Sequence, residues 1–432
     1  MSVLHIKNGH VINYLIPPWK SGRGERAKDV WIVDGEIAPE SFVHSSPDEV
    51  IDATGMFVMP GFVDAHVHLR EPGYEDAETI ETGCAAALAG GFTSIIAMPN
   101  TNPAMDCPEV VQQVLDKARA VNGPRVYVMP AVTKGRQGKE LVDFESLLME
   151  GVVGFTDDGS GVQNEMLARE AMSFCAKHDL VYAEHCEFIH LSAGGVMHPG
   201  PEAEALGLPP YPPEAETEMI ERDTRLAGET GAKVHFQHLS SAQPLEGIAH
   251  AGPGCKVSAE VTPHHLALTI EDAARGGTNF KMNPPLRSEE DRQALLQGLK
   301  EGSINMVATD HAPHTPESKN KPFLDAPNGV IGMETAAAVV WKTMAVDADL
   351  LTPRRFLDCM CWARTRFGLP LVDIGPGFPA DIVIFDPSAT WTVDPDKFKS
   401  KSRNCPFNGR ELQGCVMYTI VGGEVKYRAD LH

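Results

Sequence analysis

The chain has 432 residues, of which 43% are hydrophobic and 22% charged, so it is long enough for one large domain with a smaller attachment. Its formal net charge of −22 disfavours nucleic acid and anionic membrane surfaces as partners. The sequence has no apolar run of about 18 residues, which a membrane span needs, and residues 1–14 lack the pattern of a secretory signal. The nine cysteines include no C-x-x-C pair, which favours reduced thiols and a cytoplasmic location.

The two ends of the chain share one kind of pattern, in which short β-like runs are separated by turn residues. These runs lie at residues 3–6, 30–33, 56–59, 381–385 and 414–421. Because both ends differ from the middle in the same way, we expect them to fold together as one small β-unit.

The middle of the chain repeats a different pattern, in which a short apolar run is followed by polar residues and a helix-like stretch. Eight such runs occur, at residues 62–68, 93–98, 125–129, 151–155, 180–184, 233–237, 256–261 and 304–308. Helical patterns follow some of them, for example at 78–89 and 165–178. Eight buried strands that alternate with helices predict a (β/α)8 barrel. A doubly wound open sheet is the alternative, but no glycine-rich nucleotide loop follows the first run.

Polar residues that suit metal ions end five of the eight runs. They are His66, His68, Asp157, Asp158, His185, His238, Asp310 and His311. In a (β/α)8 barrel the carboxyl ends of the strands open on one face, so residues far apart in the chain converge on one pocket. His66 and His68 also point to the same side of their strand. Imidazoles and carboxylates are suitable ligands for zinc and similar divalent ions, so this set predicts a metal site.

Other polar residues fall on the same face of the predicted barrel. Arg70 can form paired hydrogen bonds to a carboxylate, and His314 follows Asp310 by four positions. Asn100 and Asn283 stand beside proline, so a turn is the alternative interpretation for both. Residues 315–327 predict a loop at the mouth of the barrel, which is either a lid or a surface loop.

Four motifs resemble those of the cyclic amidohydrolases, the family that contains dihydroorotases, allantoinases and hydantoinases. The segment FVDAHVHLREPG at 62–73 resembles the metal-binding signature of the whole superfamily. The segments MPNTNP at 98–103, KMNPPLR at 281–287 and ATDHAPH at 308–314 are more specific and resemble bacterial dihydroorotases. The resemblance covers residues 50 to 375.

This resemblance implies a (β/α)8 TIM-like barrel at residues 61–375. It also implies a small β-sandwich that is built from both chain termini, residues 1–60 and 376–432. The family often has phenylalanine before the glycine of the segment APNG at 326–329, where this chain has asparagine.

The resemblance also implies the ligand set of a zinc site with one or two ions, two being favoured. One ion would be held by His66, His68 and Asp310, and the other by His185 and His238. Asp158 would bridge the two ions, with Asp157 as its rival. Many relatives use a carboxylated lysine as the bridge, but residues 154–158 contain no lysine, so an aspartate is expected there.

Further residues would bind the substrate: Arg70, Asn100 and His314 its carboxylate, and Asn283 its ring. The implied reaction is the reversible cyclisation of N-carbamoyl-L-aspartate to L-dihydroorotate in de novo pyrimidine (UMP) biosynthesis. In the hydrolytic direction a hydroxide activated by the metal would attack the ring amide, and Asp310 would carry the proton to the departing nitrogen.

Two alternatives to dihydroorotase activity stay open. The chain could be an allantoinase or hydantoinase, although Arg70 and Asn100 supply a carboxylate site that simple hydantoins do not need. It could also be a non-catalytic scaffold for aspartate transcarbamoylase, although a scaffold has little reason to keep six metal ligands. The expected partners are the small-molecule substrate, further copies of the chain, and aspartate transcarbamoylase.

Overall fold

The structure is a computed structural model that describes residues 2–15, 27–43, 45–252 and 254–430. Its strands, in chain order, are β1 (Val3–Val11), β2 (Ala27–Val33), β3 (Glu36–Ala38), β4 (Glu49–Asp52), β5 (Phe57–Pro60), β6 (Phe62–Val67), β7 (Phe92–Ala97), β8 (Arg125–Val128), β9 (Gly154–Phe155), β10 (Val181–Glu184), β11 (Lys233–Phe236), β12 (Lys256–Val261), β13 (Met306–Val307), β14 (Ile382–Thr392), β15 (Glu411–Val421) and β16 (Glu424–Arg428).

The α-helices are α1 (Ile80–Ala89), α2 (Pro108–Val121), α3 (Phe144–Leu148), α4 (Glu165–Lys177), α5 (Ile189–Ser192), α6 (Pro201–Leu206), α7 (Glu214–Thr230), α8 (Leu245–Ala249), α9 (Pro263–Ala267), α10 (Ile270–Gly276), α11 (Glu289–Glu301), α12 (Pro316–Lys319), α13 (Met333–Val340), α14 (Pro353–Cys361) and α15 (Ala363–Arg366). None of the helices in the described residues is both long enough and apolar enough to cross a membrane.

One sheet of eight strands contains both ends of the chain. Its order is β16-β15-β14-β5-β1-β2-β3, and β4 pairs with β1. The ends meet where β14 runs antiparallel to β5, with Ile384 opposite Val58. Buried aliphatic side chains from both ends, among them Ile6, Ile32 and Ile382, form one cluster there. The prediction that the two ends fold together is confirmed; the sandwich form and the domain bounds stay predictions.

The eight predicted runs in the middle of the chain are the eight parallel strands β6 to β13. They form a three-stranded sheet of order β6-β7-β8 and a five-stranded sheet of order β13-β12-β11-β10-β9. Most of their residues are buried on both faces, as expected where helices cover a parallel sheet, and β8 is the main exception. The middle of the chain is therefore an α/β fold with parallel sheets.

Backbone hydrogen bonds cross both gaps between the two parallel sheets. On the β8–β9 side, Val153 N donates to Val128 O at 3.3 Å and Thr156 N donates to Pro130 O at 3.0 Å. On the β13–β6 side, His68 N donates to His311 O at 2.9 Å. All eight strands therefore present their carboxyl ends to the same region of the molecule.

Candidate metal centre and active site

All six predicted ligands lie together where the parallel strands end. His66 belongs to β6, and the others follow strands β6, β9, β10, β11 and β13: His68, Asp158, His185, His238 and Asp310. All six are buried. Two sets of ligand atoms each lie within 4.8 Å of one another, namely those of His66, His68 and Asp310, and those of His66, Asp158 and His238.

The His66 ring stands between one carboxylate on its outer side and two on its inner side. Its Nδ1 lies 2.8 Å from Glu260 Oε1, and because a carboxylate can only accept, Nδ1 carries the proton. Its other ring nitrogen, Nε2, faces the centre of the cluster. That nitrogen lies 3.2 Å from Asp158 Oδ1 and 3.5 Å from Asp310 Oδ1. One imidazole nitrogen and two carboxylate oxygens therefore face one another.

The His68 ring repeats this arrangement with a neutral partner. Its Nδ1 donates to Asn100 Oδ1 at 2.7 Å, and Asn100 Nδ2 donates to Asp158 Oδ2 at 3.2 Å. His68 Nε2 is left facing Asp310 Oδ1 at 2.8 Å. The amide of Asn100 therefore joins two predicted ligands and does more than form a turn beside proline.

The third ring, His185, is oriented by an acidic residue that the sequence did not indicate. Its Nε2 lies 3.1 Å from Glu187 Oε2, which also accepts from Asn283 Nδ2 at 2.8 Å. The lone pair of His185 Nδ1 therefore points inward. It lies 2.9 Å from His238 Nε2 and 3.8 Å from Asp158 Oδ1.

This donor set fits a divalent cation. His66 Nε2 is buried and has no hydrogen-bond partner in the described part of the chain, although two carboxylates lie beside it. Burial opposes the ionisation of Asp158, but a positive charge on the facing His66 and a hydrogen bond with His238 outweigh burial and hold the pKa of Asp158 well below its ordinary value. Asp158 in turn raises the pKa of His66 well above its ordinary value. Ionised carboxylates and imidazole nitrogens that converge in this way need positive charge between them, which a proton on His66 or a metal ion supplies, and nitrogen and oxygen ligands suit zinc.

Asp157 has a different environment from its neighbour Asp158. Its Oδ1 accepts from Val132 N at 2.8 Å and from Thr133 N at 3.0 Å, and its Oδ2 accepts from the Thr133 hydroxyl. All of these partners belong to the loop after β8. Asp157 therefore holds that loop against β9, while Asp158 is the carboxylate that faces the histidines.

Glu260, in β12, is the central carboxylate behind the ligand rings. It contacts His66 Nδ1, lies 3.0 Å from His235 Nε2 and accepts from His238 N at 3.3 Å. Burial opposes its ionisation, but the hydrogen bonds of His235 and His66 lower the pKa of Glu260 to about 2. An ionised partner of this kind fixes the tautomer of a ligand histidine and raises its basicity.

We expect Glu260→Gln to weaken metal binding by about 10- to 100-fold, because the amide keeps the shape but loses the charge that supports His66. Metal affinity measured against a competing chelator checks this result. Glu246→Gln, at an exposed position in α8, is the matched control and should bind metal normally. A Glu260→Gln variant with unchanged metal affinity would show that Glu260 does not support the centre.

A cavity of about 220 Å³ opens above the ligand cluster. Arg70 lines one wall; its Nε donates to Pro313 O at 3.0 Å and its Nη2 lies 3.4 Å from His314 Nε2. Burial lowers the pKa of Arg70 to about 10, so the guanidinium is charged at neutral pH. His314 Nε2 lies 2.7 Å from Asn328 O, and Asn328 and Gly329 line the same cavity. The cavity thus has imidazoles and carboxylates that suit a metal at its floor, and the charged Arg70 at its wall.

Arg136 is a second cation at this cavity, and the sequence offered no signal for it. Its Nη2 donates to Asp158 O and, at 3.0 Å, to Ser160 Oγ. Its backbone has a φ of 55°, which a non-glycine residue rarely adopts. Arg136 therefore braces the main chain of the central aspartate from outside the ligand set.

Comparisons with known proteins identify the family of this chain. The family described as "Dihydro-orotase-like" matches residues 55–243. The dihydroorotase of Pelotomaculum thermopropionicum is 45% identical over 426 residues, which cover 98% of this chain and 98% of that protein. The dihydroorotase of Anaeromyxobacter dehalogenans strain 2CP-C is 43% identical over 429 residues, with 98% and 97% covered.

Solved structures of related amidohydrolases have the same fold. An L-hydantoinase (dihydropyrimidinase) from Arthrobacter aurescens superposes with a TM-score of 0.85 at 26% identity, covering 99% of this chain and 96% of that one. A D-hydantoinase (dihydropyrimidinase) from Thermus sp. gives a TM-score of 0.80 at 27% identity, with 98% and 95% covered. Because the identity to the dihydroorotases extends over nearly the full length of both chains, this chain belongs to the dihydroorotase family of metal-dependent cyclic amidohydrolases.

Proposed function

We propose that the chain catalyses the reversible cyclisation of N-carbamoyl-L-aspartate to L-dihydroorotate, in the biosynthesis of pyrimidines. The observation that carries this proposal is the cavity, whose floor and side wall have different chemical groups. Its floor has imidazoles and carboxylates that suit a metal, and its side has the charged Arg70 next to His314. An amide to be opened and a carboxylate to be held are the two features that dihydroorotate would bring to these walls.

The proposed centre contains two zinc ions. His66, His68 and Asp310 would hold one ion, His185 and His238 would hold the other, and Asp158 would be shared between the two. The proposal is supported by the short distances among these donors and by the burial of their inner nitrogens. We also propose that the eight parallel strands close into a (β/α)8 barrel, since hydrogen bonds cross both gaps. The terminal residues 1–60 and 376–432 then form a β-sandwich beside a barrel of residues 61–375.

Asp310 is the proposed proton carrier. Its Oδ1 makes both histidine contacts, and its Oδ2 has no hydrogen bond to any described residue. Burial opposes ionisation, but His68 and then His66 hold the pKa of Asp310 below its ordinary value, so the carboxyl is ionised at neutral pH. A bound divalent ion would supply Lewis-acid polarisation of the amide carbonyl and an acidified water. In ring opening, Asp310 takes a proton and delivers it to the departing nitrogen; in ring closure it works in reverse.

The substrate carboxylate is proposed to lie against Arg70, His314 and Asn100. One N–H of Asn100 Nδ2 is used by Asp158, and the other is available for a ligand. Burial and then Arg70 lower the pKa of His314 to about 3, so the ring is neutral. Arg70 therefore supplies the charge at this wall. Asn283, whose buried Oδ1 has no partner among the described residues, is proposed to contact the ring.

Arg70→Lys is expected to lower kcat/KM for dihydroorotate by the equivalent of about 2 kcal/mol or more, on the scale of a charge-assisted hydrogen bond. Lysine keeps the charge but loses the planar pair of donors that fits a carboxylate. Steady-state kinetics give the value, and Arg275→Lys, at an exposed position in α10, is the control. Near-normal activity of Arg70→Lys would mean that Arg70 has only a structural role, through its hydrogen bond to Pro313 O.

Hydantoinase activity is the main alternative, because the superposed structures are hydantoinases. Their identity to this chain is 26–27%, against 43–45% for the dihydroorotases. The proposal is tested by incubating the purified chain with N-carbamoyl-L-aspartate and following the appearance of dihydroorotate. A preparation with bound metal that closes no ring would contradict it.

The remaining parts of the proposal concern the setting of the enzyme. All nine cysteines are free, which favours a reducing compartment and hence the cytoplasm. Assembly into a homo-oligomer and association with aspartate transcarbamoylase are proposed on the family resemblance.

A further inference from the structure

Asn404 lies far from the ligand residues in the chain but touches the wall of the cavity. It belongs to the segment between β14 and β15, and it is buried. Its Oδ1 accepts from His314 N at 3.2 Å, and its Nδ2 donates to Ala312 O at 3.0 Å and to Gly329 O at 3.1 Å. The side chain thus satisfies three backbone groups on two separate loops.

The two loops that Asn404 joins both line the cavity. Ala312 and His314 follow β13, while Asn328 and Gly329 belong to the next loop along the chain. The main chain of Asn404 adds a fourth tie, since Ile331 N donates to Asn404 O at 3.1 Å. A residue that bonds to both loops sets the distance between them, and with it the width of the cavity.

A buried lysine ties the second loop from the other side. Lys319 Nζ donates to Pro327 O at 3.0 Å and to Gly329 O at 2.9 Å, as well as to Lys281 O at 3.3 Å. The Gly329 carbonyl therefore accepts from both Lys319 and Asn404. Gly329 has a φ of 125°, and a Cβ added there would lie 2.6 Å from the Ala312 Cβ, so the loops are in close contact at this point.

The segment that carries Asn404 is itself anchored. Ser400 N donates to Glu334 Oε1 at 3.0 Å, on α13, and Ser402 Oγ donates to Ala77 O at 2.7 Å, just before α1. These contacts attach the segment to the helices around the parallel sheets. Asn404 therefore acts from a fixed base on the two loops.

We propose that Asn404 is a positioning residue of the substrate cavity, which holds His314 and the loop at residues 326–329 at the spacing that the substrate requires. It acts together with Lys319 through the Gly329 carbonyl. The inference rests on the proposed function, because the substrate is the one named there. The segment between β14 and β15 then contributes to an active site whose metal ligands all come from the middle of the chain.

Asn404→Asp tests this inference with almost no change of shape. The introduced carboxylate still accepts from His314 N, but it loses both donors and repels the Ala312 and Gly329 carbonyls. We expect KM for dihydroorotate to rise about tenfold or more while kcat stays within about threefold, because the loops bind substrate and the ligand cluster is intact. The measurement is a full set of steady-state kinetics together with Tm for each variant.

The matched control is Asn305→Asp, just before β13. Asn305 makes the same kind of bonds, since its Oδ1 accepts from Ala259 N at 3.0 Å and its Nδ2 donates to Gly302 O at 3.3 Å, but it does not line the cavity. The control should keep KM within about twofold of the value for the unsubstituted chain, even where its Tm falls as much as that of Asn404→Asp. A similar rise of KM in both variants would reduce Asn404 to a structural residue.

A KM within about twofold of the unsubstituted chain in Asn404→Asp would overturn the inference. Where that variant does not fold, Lys319→Met carries the test, because it removes the ties to Pro327 and Gly329 and should also raise KM. An unchanged KM in Lys319→Met then overturns the inference. If the unsubstituted chain does not turn over dihydroorotate, the proposed function fails; if it does and the variants match it, only this inference fails.

Discussion

Asp310→Asn is expected to lower kcat in both directions by about 10³- to 10⁴-fold, the upper range for loss of a general acid–base group. The amide keeps an oxygen that can face His68, at the 2.8 Å contact which Oδ1 makes now, but it cannot take up and release the proton. Both directions should fall together, because one group moves the proton in ring opening and in ring closure. Rates measured from dihydroorotate and from N-carbamoyl-L-aspartate on one preparation check this.

The control for this prediction is Asp349→Asn, at an exposed position after α13, which should leave both rates unchanged. Metal content is measured on the same samples, so that a loss of rate is not confused with a loss of metal. Asp310→Asn with normal metal and a rate within tenfold of the unsubstituted chain would mean that another group carries the proton. His314 would then be the first residue to substitute.

The second large effect distinguishes the roles of two neighbouring carboxylates, Asp157 and Asp158. Asp158→Asn is expected to weaken metal binding by more than about 100-fold, because loss of a residue that only supports a ligand already costs up to that much. Turnover should fall with the bound metal. Asp157→Asn should keep the metal and the activity of the folded enzyme. It should instead lower the free energy of unfolding by about 1–3 kcal/mol, because the introduced NH2 group replaces the oxygen that accepts from the Thr133 hydroxyl and the negative charge that faces the Val132 and Thr133 N–H groups is lost.

Each of these two variants serves as the control for the other, since the chemical change is the same and the positions are adjacent. Metal affinity, kcat/KM and chemical denaturation are measured for both. The assignment is wrong if Asp157→Asn loses metal while Asp158→Asn keeps it. Equal losses of metal in both would mean that the loop after β8 and the centre are not independent.

The parallel strands could be predicted from the sequence because their signal is local. Each run is apolar, short and followed by polar residues, and strands β6 to β13 lie where the runs predicted them. The helix starts are also local: Thr79 and Asn164 cap α1 and α4, whose predicted spans were 78–89 and 165–178. Such features depend on a few neighbouring residues and need no knowledge of the partner strands.

Convergence of the ligands could be predicted because it follows from topology alone. Once eight parallel strands are assumed, residues at their carboxyl ends must meet, and His66 and Asp310 do so. The choice of Asp158 over Asp157 came from the family resemblance. The physical difference between them, the three donors that Asp157 accepts from, appears only when the loop after β8 is in place.

The supporting residues could not be predicted because their roles depend on tertiary neighbours. Glu260 is one of many acidic residues, and nothing local distinguishes it until β12 lies beside His66 and His235. Arg136 and Asn404 reach the cavity from a loop and from the carboxyl-terminal segment. No periodicity or spacing relates such positions to strand ends.

The most direct test of the proposed activity is to measure turnover of dihydroorotate, allantoin and hydantoin side by side on one preparation, with metal content determined on the same sample. The expected result is turnover of dihydroorotate that exceeds the other two by at least about 30-fold in kcat/KM, which is the contribution assigned to Arg70. Activity should disappear when a chelator removes the metal and return when zinc is added. Equal or faster turnover of hydantoin or allantoin, or full activity without metal, would contradict the proposed function.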